Sequence, residues 1–238
     1  MIIKYDTVDN FIGWELCESY VSGIILSNKI KSILEIGAGA NPTLNPDFIR
    51  KHNLSYTISD VDNEELNKAD ELYSKRILDL SKRNFDLTEN YDFVFSRMVG
   101  EHITNGKIFH QNVFKILNNG GLSFHCFSTL YAFPFLINRI LPEKISSKLL
   151  KKISPRDDHK HGKFPAHYKW CRGPSRKMIN NYLSIGYEIV EYTGYFGHNY
   201  YKKISLLNSL EKFKSELLIK LRVPHLNAYA SVLLKKPV

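Results

Sequence analysis

Short apolar runs rich in β-branched residues recur along the first half of the chain, and longer mixed segments separate most of them. They are SILEIG (32–37), SYTISD (55–60), RILDL (76–80), YDFVFS (91–96) and GLSFHCFS (121–128). Strands that are apolar on both faces and alternate with helices are typical of a parallel sheet covered on each side. The pattern predicts a doubly wound, Rossmann-like α/β domain.

The alternation stops after Phe127 and returns near residue 175. Helices are predicted there at 175–185 and 206–222, and strands at 186–197 and 227–236. The count is then seven strands in a single domain over residues 1–238. An insertion at 128–174, with helix candidates at 129–141 and 143–153, separates the fifth and sixth strands.

The excess positive charge lies between the fifth and sixth predicted strands. The chain has a formal net charge of +9, and the twelve Lys or Arg and three acidic residues between Arg139 and Lys177 account for all of it. A general nucleic-acid binder would more often spread its charge over a stripe or tail. The insertion also contains the aromatic residues Tyr131, Phe133, Phe135, Phe164, Tyr168 and Trp170. It is predicted to be a lid or platform for an anionic acceptor, and its helices also suit an anionic membrane surface.

Other features of the sequence narrow the class of protein. The cysteines Cys17, Cys126 and Cys171 are far apart, which argues against a disulfide framework or a cysteine zinc site. No apolar run reaches the roughly 18–20 residues of a membrane-spanning helix, and the N-terminus does not resemble a signal peptide. The expected location is the cytoplasm, with peripheral contact to the inner face of the membrane as a further expectation.

The stretch ILEIGAGANP (33–42) indicates a ligand site at the end of the first of these strands. Ligands of open parallel sheets bind at the carboxyl ends of the strands, and Gly37 and Gly39 allow a close approach of backbone. Asn41 and Pro42 predict the start of a helix. A dinucleotide fingerprint would need a third glycine at Pro42, and Glu35 would repel a pyrophosphate. A ligand with an amine and a sulfonium, S-adenosylmethionine, suits this carboxylate better.

Five stretches resemble, in order, the motifs of the class I S-adenosylmethionine-dependent methyltransferases. They are EIGAG (35–39), TISDVD (57–62), ILDL (77–80), YDFVFSRMVGEHI (91–103) and FKILNNGGLSFH (114–125). In the last of these, Asn118 and Asn119 replace the Lys-Pro of the family. The similarity is to bacterial enzymes of the methyltransferase type 11 kind, and TLYAFPFLINRILPE (129–143) resembles those of surface-polysaccharide and glycolipid pathways.

The resemblance implies a seven-stranded, mostly parallel sheet whose last strand is antiparallel, and a bound S-adenosylmethionine. It implies that Asp60 binds the ribose hydroxyls, that Val61 lies beside the adenine and that Asp79 lies near the adenine amine. Two alternatives stay open, since Asp60 is also suited to cap the next helix and Asp79 to a surface turn. The cofactor-binding residues expected in this way are Glu35, Gly37, Ala38, Gly39, Asn41, Asp60, Val61, Asp79, Leu80, Ser96 and Arg97.

Transfer to a hydroxyl usually needs a general base, and histidine is the common one. The candidates are His102, His167 and His198, whereas His125 lies inside a strand and is expected in the core. Some similar O-methyltransferases hold a metal through Glu-x-x-Glu-His, but Met98 replaces the first carboxylate here, and no metal is expected. The Asp and His residues of DDHKH (157–161) are of types that bind metals, but they are interpreted as part of a solvated face.

The predicted function is O-methylation of an anionic or phosphate-linked sugar or glycolipid. Methylation of RNA is an alternative, although SRMVG follows the fourth predicted strand where base methyltransferases have an NPPY-like signature. A binding module that holds S-adenosylmethionine without turnover is another. The oligomeric state stays open.

Overall fold

A computed structural model describes residues 1–85, 87–130, 165–201 and 204–238. These residues form one eight-stranded sheet with helices on both faces. The strands are β1 (Ile2–Thr7), β2 (Ser32–Ile36), β3 (Ser55–Asp60), β4 (Ser74–Ile77), β5 (Tyr91–Arg97), β6 (Leu117–Ser128), β7 (Glu188–Phe196) and β8 (Tyr229–Lys235). The α-helices are α1 (Cys17–Ser27), α2 (Pro46–His52), α3 (Asn63–Asn67), α4 (Gly106–Ile116), α5 (Arg176–Leu183) and α6 (Ser205–Lys220).

The strand order is β1-β7-β8-β6-β5-β2-β3-β4. Only β8, which lies between β6 and β7, is antiparallel to its neighbours within the described sheet. The doubly wound, mostly parallel architecture with an antiparallel last strand is therefore confirmed. The count of seven strands was wrong, because β1 adds an eighth at the edge, parallel to β7 from Ile2 opposite Glu191 to Thr7 opposite Phe196.

The order in which successive strands are added to the sheet reverses at β2. The next strand along the chain, β3, pairs with one side of β2, and β5 pairs with the other side. A crevice forms at such a switch point, outside the carboxyl ends of the strands. We refer to this side of the sheet as the carboxyl edge.

Two apolar layers cover the sheet. One contains Val21 and Ile25 of α1, packed with Phe93 and Phe95 of β5. The other contains residues of α4 and α5, such as Val113 and Tyr182, with the opposite face of the strands. Burial on both faces explains why the central strands are continuous apolar runs in the sequence.

The helix after the glycines begins later than predicted. It begins at Pro46, and the side chain of Asn45 caps it by accepting a hydrogen bond from the Phe48 amide (2.9 Å). Asn41 and Pro42 were therefore wrongly placed at its start. Thr43 is bonded to the buried Glu35, and this attachment keeps the residues before Thr43 in a loop. The Asn-Pro pair that begins the helix is instead Asn45-Pro46, four residues later.

The insertion is described only at its two ends. Ser128 completes β6, and the description resumes at Pro165. The helix candidates at 129–141 and 143–153 lie outside the described residues from 131 onward, as do DDHKH and four of the six aromatic residues. Cys17, Cys126 and Cys171 are free and buried. None of the described helices has the length and apolarity needed to cross a membrane.

Candidate functional site

The glycine loop, which we define as residues 37–45 between β2 and α2, connects the carboxyl ends of β2 and β3 through hydrogen bonds. Gly37 and Gly39 have φ values of +69° and +50°, which other residues rarely adopt. The amides of Gly37 and Ala38 both donate to the carbonyl of Ser59 (2.7 and 3.0 Å). A Cβ on Gly37 would lie 2.3 Å from Cγ2 of Val99. The loop thus needs bare backbone at Gly37 to pass between β3 and the segment after β5.

Glu35 lies beneath this loop and is only 1% exposed. Its carboxylate accepts hydrogen bonds from the Thr43 amide (2.9 Å), from the Thr43 hydroxyl (2.6 Å) and from the hydroxyl of Tyr56. Burial raises the pKa of Glu35, and these bonds together with nearby Arg97 act against that rise. Both oxygens are engaged by protein donors, so Glu35 fixes the far end of the loop. Its direct contact with a ligand stays a prediction.

Asp60 ends β3 beside the glycine loop. Its Oδ1 accepts the amide of Asp62 (3.0 Å), and its Oδ2 lies 3.5 Å from where a Cβ on Gly39 would be. The helix cap considered for Asp60 belongs to Asp62, whose side chain accepts the amides of the first residues of α3. Val61 follows with 59% of its surface exposed. A carboxylate oxygen and an apolar side chain therefore lie together at the loop.

Asp79 and Leu80 follow β4, next to Asp60. The Leu78 amide donates to the Asp60 carbonyl (3.0 Å), which ties the two strand ends together. Partial burial raises the pKa of Asp79, but hydrogen bonds from the Ser81 amide and hydroxyl, with Lys82 nearby, outweigh it and hold that pKa below its usual value. Leu80 is buried. Asp79 is thus a turn residue in its contacts, and its place near an adenine stays a prediction.

Ser96 and Arg97 end β5 at the same edge. Ser96 is buried and bonds Nδ1 of His125 (2.7 Å). The guanidinium of Arg97 donates to the carbonyl of Asn41 (3.1 Å). The next residue, Met98, has φ +56°, a strained value that is often found at functional sites. A cavity of about 560 Å³ lies beside the loop, lined by Trp14, Glu15, Glu18, Ala40, Asn41, Pro42, Thr43, Asp70, Tyr73 and Arg97.

Two of the candidate histidines lie around the segment that follows β5. His102 is exposed, and its Nδ1 is 3.2 Å from the carbonyl of Pro165. His167 is half-buried, and its amide donates to the carbonyl of Glu101 (2.7 Å). His125 is buried in β6, and its placement in the core is confirmed.

The third candidate, His198, lies farther along the edge. It follows β7, and β6 and β8 separate β7 from β5, a distance of about 14 Å at the usual strand spacing. His198 is buried, its Nε2 is 3.7 Å from Glu211, and its ring packs edge-on against Tyr201. Burial lowers the pKa of His198. The structure does not bring this histidine to the glycine loop.

The same arrangement of strands occurs in solved methyltransferases. A S-adenosylmethionine-dependent methyltransferase from Clostridium acetobutylicum ATCC 824 has a TM-score of 0.54 at 14% identity, over 96% of this chain and 93% of that one. A putative sarcosine dimethylglycine methyltransferase from Galdieria sulphuraria has a TM-score of 0.53 at 11% identity, over 93% and 85%. Phosphoethanolamine N-methyltransferase 2 of Haemonchus contortus, in complex with S-adenosyl-L-methionine, has a TM-score of 0.52 at 14% identity, over 92% and 53%. The chain has the class I methyltransferase fold. No protein-family model and no curated protein sequence matches it.

In this methyltransferase fold, Glu101 is a candidate site residue that the sequence did not single out. It is 4% exposed, and its Oε1 accepts the hydroxyl of Ser128 (2.8 Å). Its Oε2 is buried and has no hydrogen-bond partner among the described residues. Burial raises the pKa of Glu101, although its own backbone amide, the bonds from Ser128 and nearby His102 oppose the rise. Val99, two residues earlier, lies against Gly37, so the segment that carries Glu101 passes beside the glycine loop.

Glu101 also links the two ends of the insertion. Its side chain bonds Ser128, where the insertion begins, and its carbonyl accepts the amides of His167 and Tyr168 (2.7 and 3.0 Å), where the description resumes. The sequence signal for Glu101 was its position beside His102 after β5, but only the histidine was selected as a candidate base. Within the described residues, no group of three or more His, Cys, Asp or Glu side chains is placed to hold a metal ion.

Proposed function

We propose that this chain transfers a methyl group from S-adenosylmethionine to an acceptor. The observation that carries the proposal is Asp60 Oδ2, which faces Gly39 and accepts no hydrogen bond from the described residues. This oxygen suits the ribose hydroxyls, and exposed Val61 suits the adenine. The missing Cβ of Gly39 leaves the loop backbone accessible beside this oxygen. The residues present therefore fit this cofactor.

The cofactor is tested by removing the Asp60 carboxylate. Asp60→Ala is expected to weaken the binding of S-adenosylmethionine by about 1–3 kcal/mol, because two hydroxyl bonds to a charged group are lost. Isothermal calorimetry of the purified chain measures this change. Glu64→Ala removes a nearby exposed carboxylate and is expected to leave affinity unchanged. Binding of NAD without binding of S-adenosylmethionine would reject the proposal.

The proposed acceptor is an anionic or phosphate-linked sugar or glycolipid, methylated on oxygen. The support is the charge of the sequence between Arg139 and Lys177, in a segment that leaves and rejoins the described fold at Ser128 and Pro165. Both ends adjoin Glu101 or its neighbours. Labelled cofactor, offered with phosphorylated sugars, neutral sugars, amines and RNA, identifies the acceptor class.

Glu101 is the proposed proton acceptor for the attacking hydroxyl. Bound S-adenosylmethionine supplies a methyl group that is already activated by its sulfonium. The chain must then align the acceptor, exclude water and receive its proton. A buried carboxylate with a raised pKa and an unbonded oxygen suits this task, and Ser128 holds its other oxygen in place.

Glu101→Gln is expected to lower kcat about 100-fold or more on the acceptor found in the panel. Glutamine keeps the shape and the oxygen that Ser128 bonds, so cofactor affinity should change less than about twofold. Wild-type kcat should fall as pH falls through the raised pKa of Glu101, and the variant should lack this limb. Full activity of Glu101→Gln, with loss in His102→Ala or His167→Ala, would assign the base to a histidine.

A further inference from the structure

Helix α6 (Ser205–Lys220) has its polar side turned to the protein and its apolar side turned outward. Its buried residues are Glu211 and Ser215. Glu211 bonds Lys214 (2.6 and 2.7 Å) and lies 3.7 Å from His198. Ser215 donates to the Glu211 carbonyl (2.8 Å). A surface helix ordinarily shows the reverse arrangement.

The outward side is a continuous stripe of large apolar residues. Their spacing of three or four residues places them on one helix face. They are Leu206, Leu210, Phe213, Leu217 and Leu221, with exposures of 72%, 57%, 67%, 44% and 63%. None of them belongs to the two core layers formed by the described residues. We name these five residues the α6 stripe. Contiguous exposed apolar surface of this kind marks an interaction site.

Helix α6 begins and ends at the carboxyl edge of the sheet. Helix α6 connects β7 to β8, and β8 begins at Tyr229, which pairs with Ser128 at the end of β6. A Cβ on Gly197, just after β7, would lie 2.9 Å from the Ser215 hydroxyl. The helix is therefore held against the same edge as the glycine loop.

Charge decides between a second copy of the chain and a lipid surface. Four basic residues are exposed on or just after α6, against one exposed acid, Glu216, and the chain carries a net charge of +9. The basic residues are Lys212, Lys214, Lys220 and Arg222. Pairing two stripes would bring together two positively charged chains, which repel each other, whereas an anionic bilayer attracts each chain. Long basic side chains beside an apolar face also suit the level of lipid headgroups.

We propose that the α6 stripe docks this chain on an anionic lipid surface. A helix of this length measures about 24 Å and would lie in the plane of the interface with its apolar face among the acyl chains. Docking would turn the carboxyl edge, and with it the glycine loop, toward the membrane. The inference does not rest on the proposed function, since docking needs no methyl transfer.

Vesicle flotation of the full chain tests this docking. Wild type is expected to bind vesicles of phosphatidylcholine and phosphatidylglycerol and to bind phosphatidylcholine alone weakly. Phe213→Glu with Leu217→Glu should lower binding at least about tenfold, because two charges enter the apolar face. Leu26→Glu is the control, since Leu26 is a helix leucine of similar exposure. It lies in the last turn of α1, which leads into the amino end of β2, opposite the carboxyl edge.

Lys212→Gln with Lys220→Gln is the second variant, and it leaves the apolar stripe intact. It should weaken binding to the anionic vesicles by about fivefold for each lysine. Circular dichroism verifies that all variants are folded. Vesicle binding that survives the double glutamate change would overturn the proposal. So would an absence of vesicle binding together with a dimer in sedimentation that the same change dissociates, because a second copy would then cover the stripe.

Discussion

Glu35→Ala is expected to lower the free energy of unfolding by about 3–5 kcal/mol. The change leaves the Thr43 amide, the Thr43 hydroxyl and the Tyr56 hydroxyl without their acceptor in a buried site. Each buried donor that loses its partner costs about 1–3 kcal/mol, and water entering the vacated space recovers part of this. The glycine loop also loses the attachment at its far end, so cofactor affinity should fall with stability. Urea unfolding and calorimetry measure the two effects.

Matched variants distinguish this structural role from direct binding of a ligand amine. Thr43→Val removes one of the three contacts, because the hydroxyl is lost while the backbone amide of residue 43 remains, and should cost about 1–2 kcal/mol. Glu35→Gln keeps one acceptor oxygen and should lie between the alanine variant and wild type. If Glu35→Gln abolishes cofactor binding while its unfolding midpoint equals that of wild type, the carboxylate serves the ligand rather than the loop.

The central strands were predictable because each is buried on both faces. SYTISD was predicted at 55–60 and forms β3 with those bounds, and YDFVFS forms all but the last residue of β5. The N-terminal strand β1 was missed because it pairs only with β7 at the edge and is mostly half-buried or exposed. Its sequence, IIKYDT, therefore lacks a continuous apolar run.

The positions of the candidate site residues in the fold were predictable, but their hydrogen-bond partners were not. Strand ends placed Glu35, Asp60 and Ser96 at one edge from sequence order alone. The donors that satisfy Glu35 come from eight and twenty-one residues away, and Glu101 depends on Ser128, twenty-seven residues away. Contacts across such separations are set by packing, which local pattern does not encode.

The face of α6 that turns toward the protein was also not predictable from the sequence. A helix was predicted at 206–222, and α6 spans Ser205–Lys220. Periodicity identifies an apolar stripe but not the side that faces the protein. Here Glu211 and Ser215 are held inward, next to His198 and Gly197, and the stripe is left outside.

The second large effect is an acid-dependent loss of stability from two buried histidines. His125 bonds Ser96 through Nδ1 and Ser123 through Nε2, both at 2.7 Å. The ring of His110 is 5.0 Å from that of His125, and its buried Nδ1 has no hydrogen-bond partner among the described residues. Burial lowers the pKa of His125 to about 3 and the pKa of His110 well below 6.5. Both rings are therefore neutral in the folded protein near neutral pH.

The sign follows from which state binds the protons. The unfolded chain protonates these histidines near pH 6.5 and the folded chain does not, so their contribution is complete above pH 6.5 and is lost as pH falls below it. Each histidine removes about 1.4 kcal/mol per pH unit, or about 2 kcal/mol by pH 5. The buried carboxyls of Glu35 and Glu101, whose pKa values are raised, act in the opposite sense. The net slope of wild type is thus smaller than that of the histidines alone.

His110→Phe isolates the histidine effect from the carboxyls. Phenylalanine keeps an aromatic ring against Trp170 and Tyr182 and removes both the titrating group and the unbonded Nδ1. The stability of the variant relative to wild type should therefore grow by about 1.4 kcal/mol for each pH unit below 6.5. Urea unfolding of both proteins, between neutral pH and about pH 5, measures this difference. Parallel curves would contradict this prediction. His110 would then be protonated in the folded protein despite its burial, or a motion would admit water to its ring between α4 and residues 165–172.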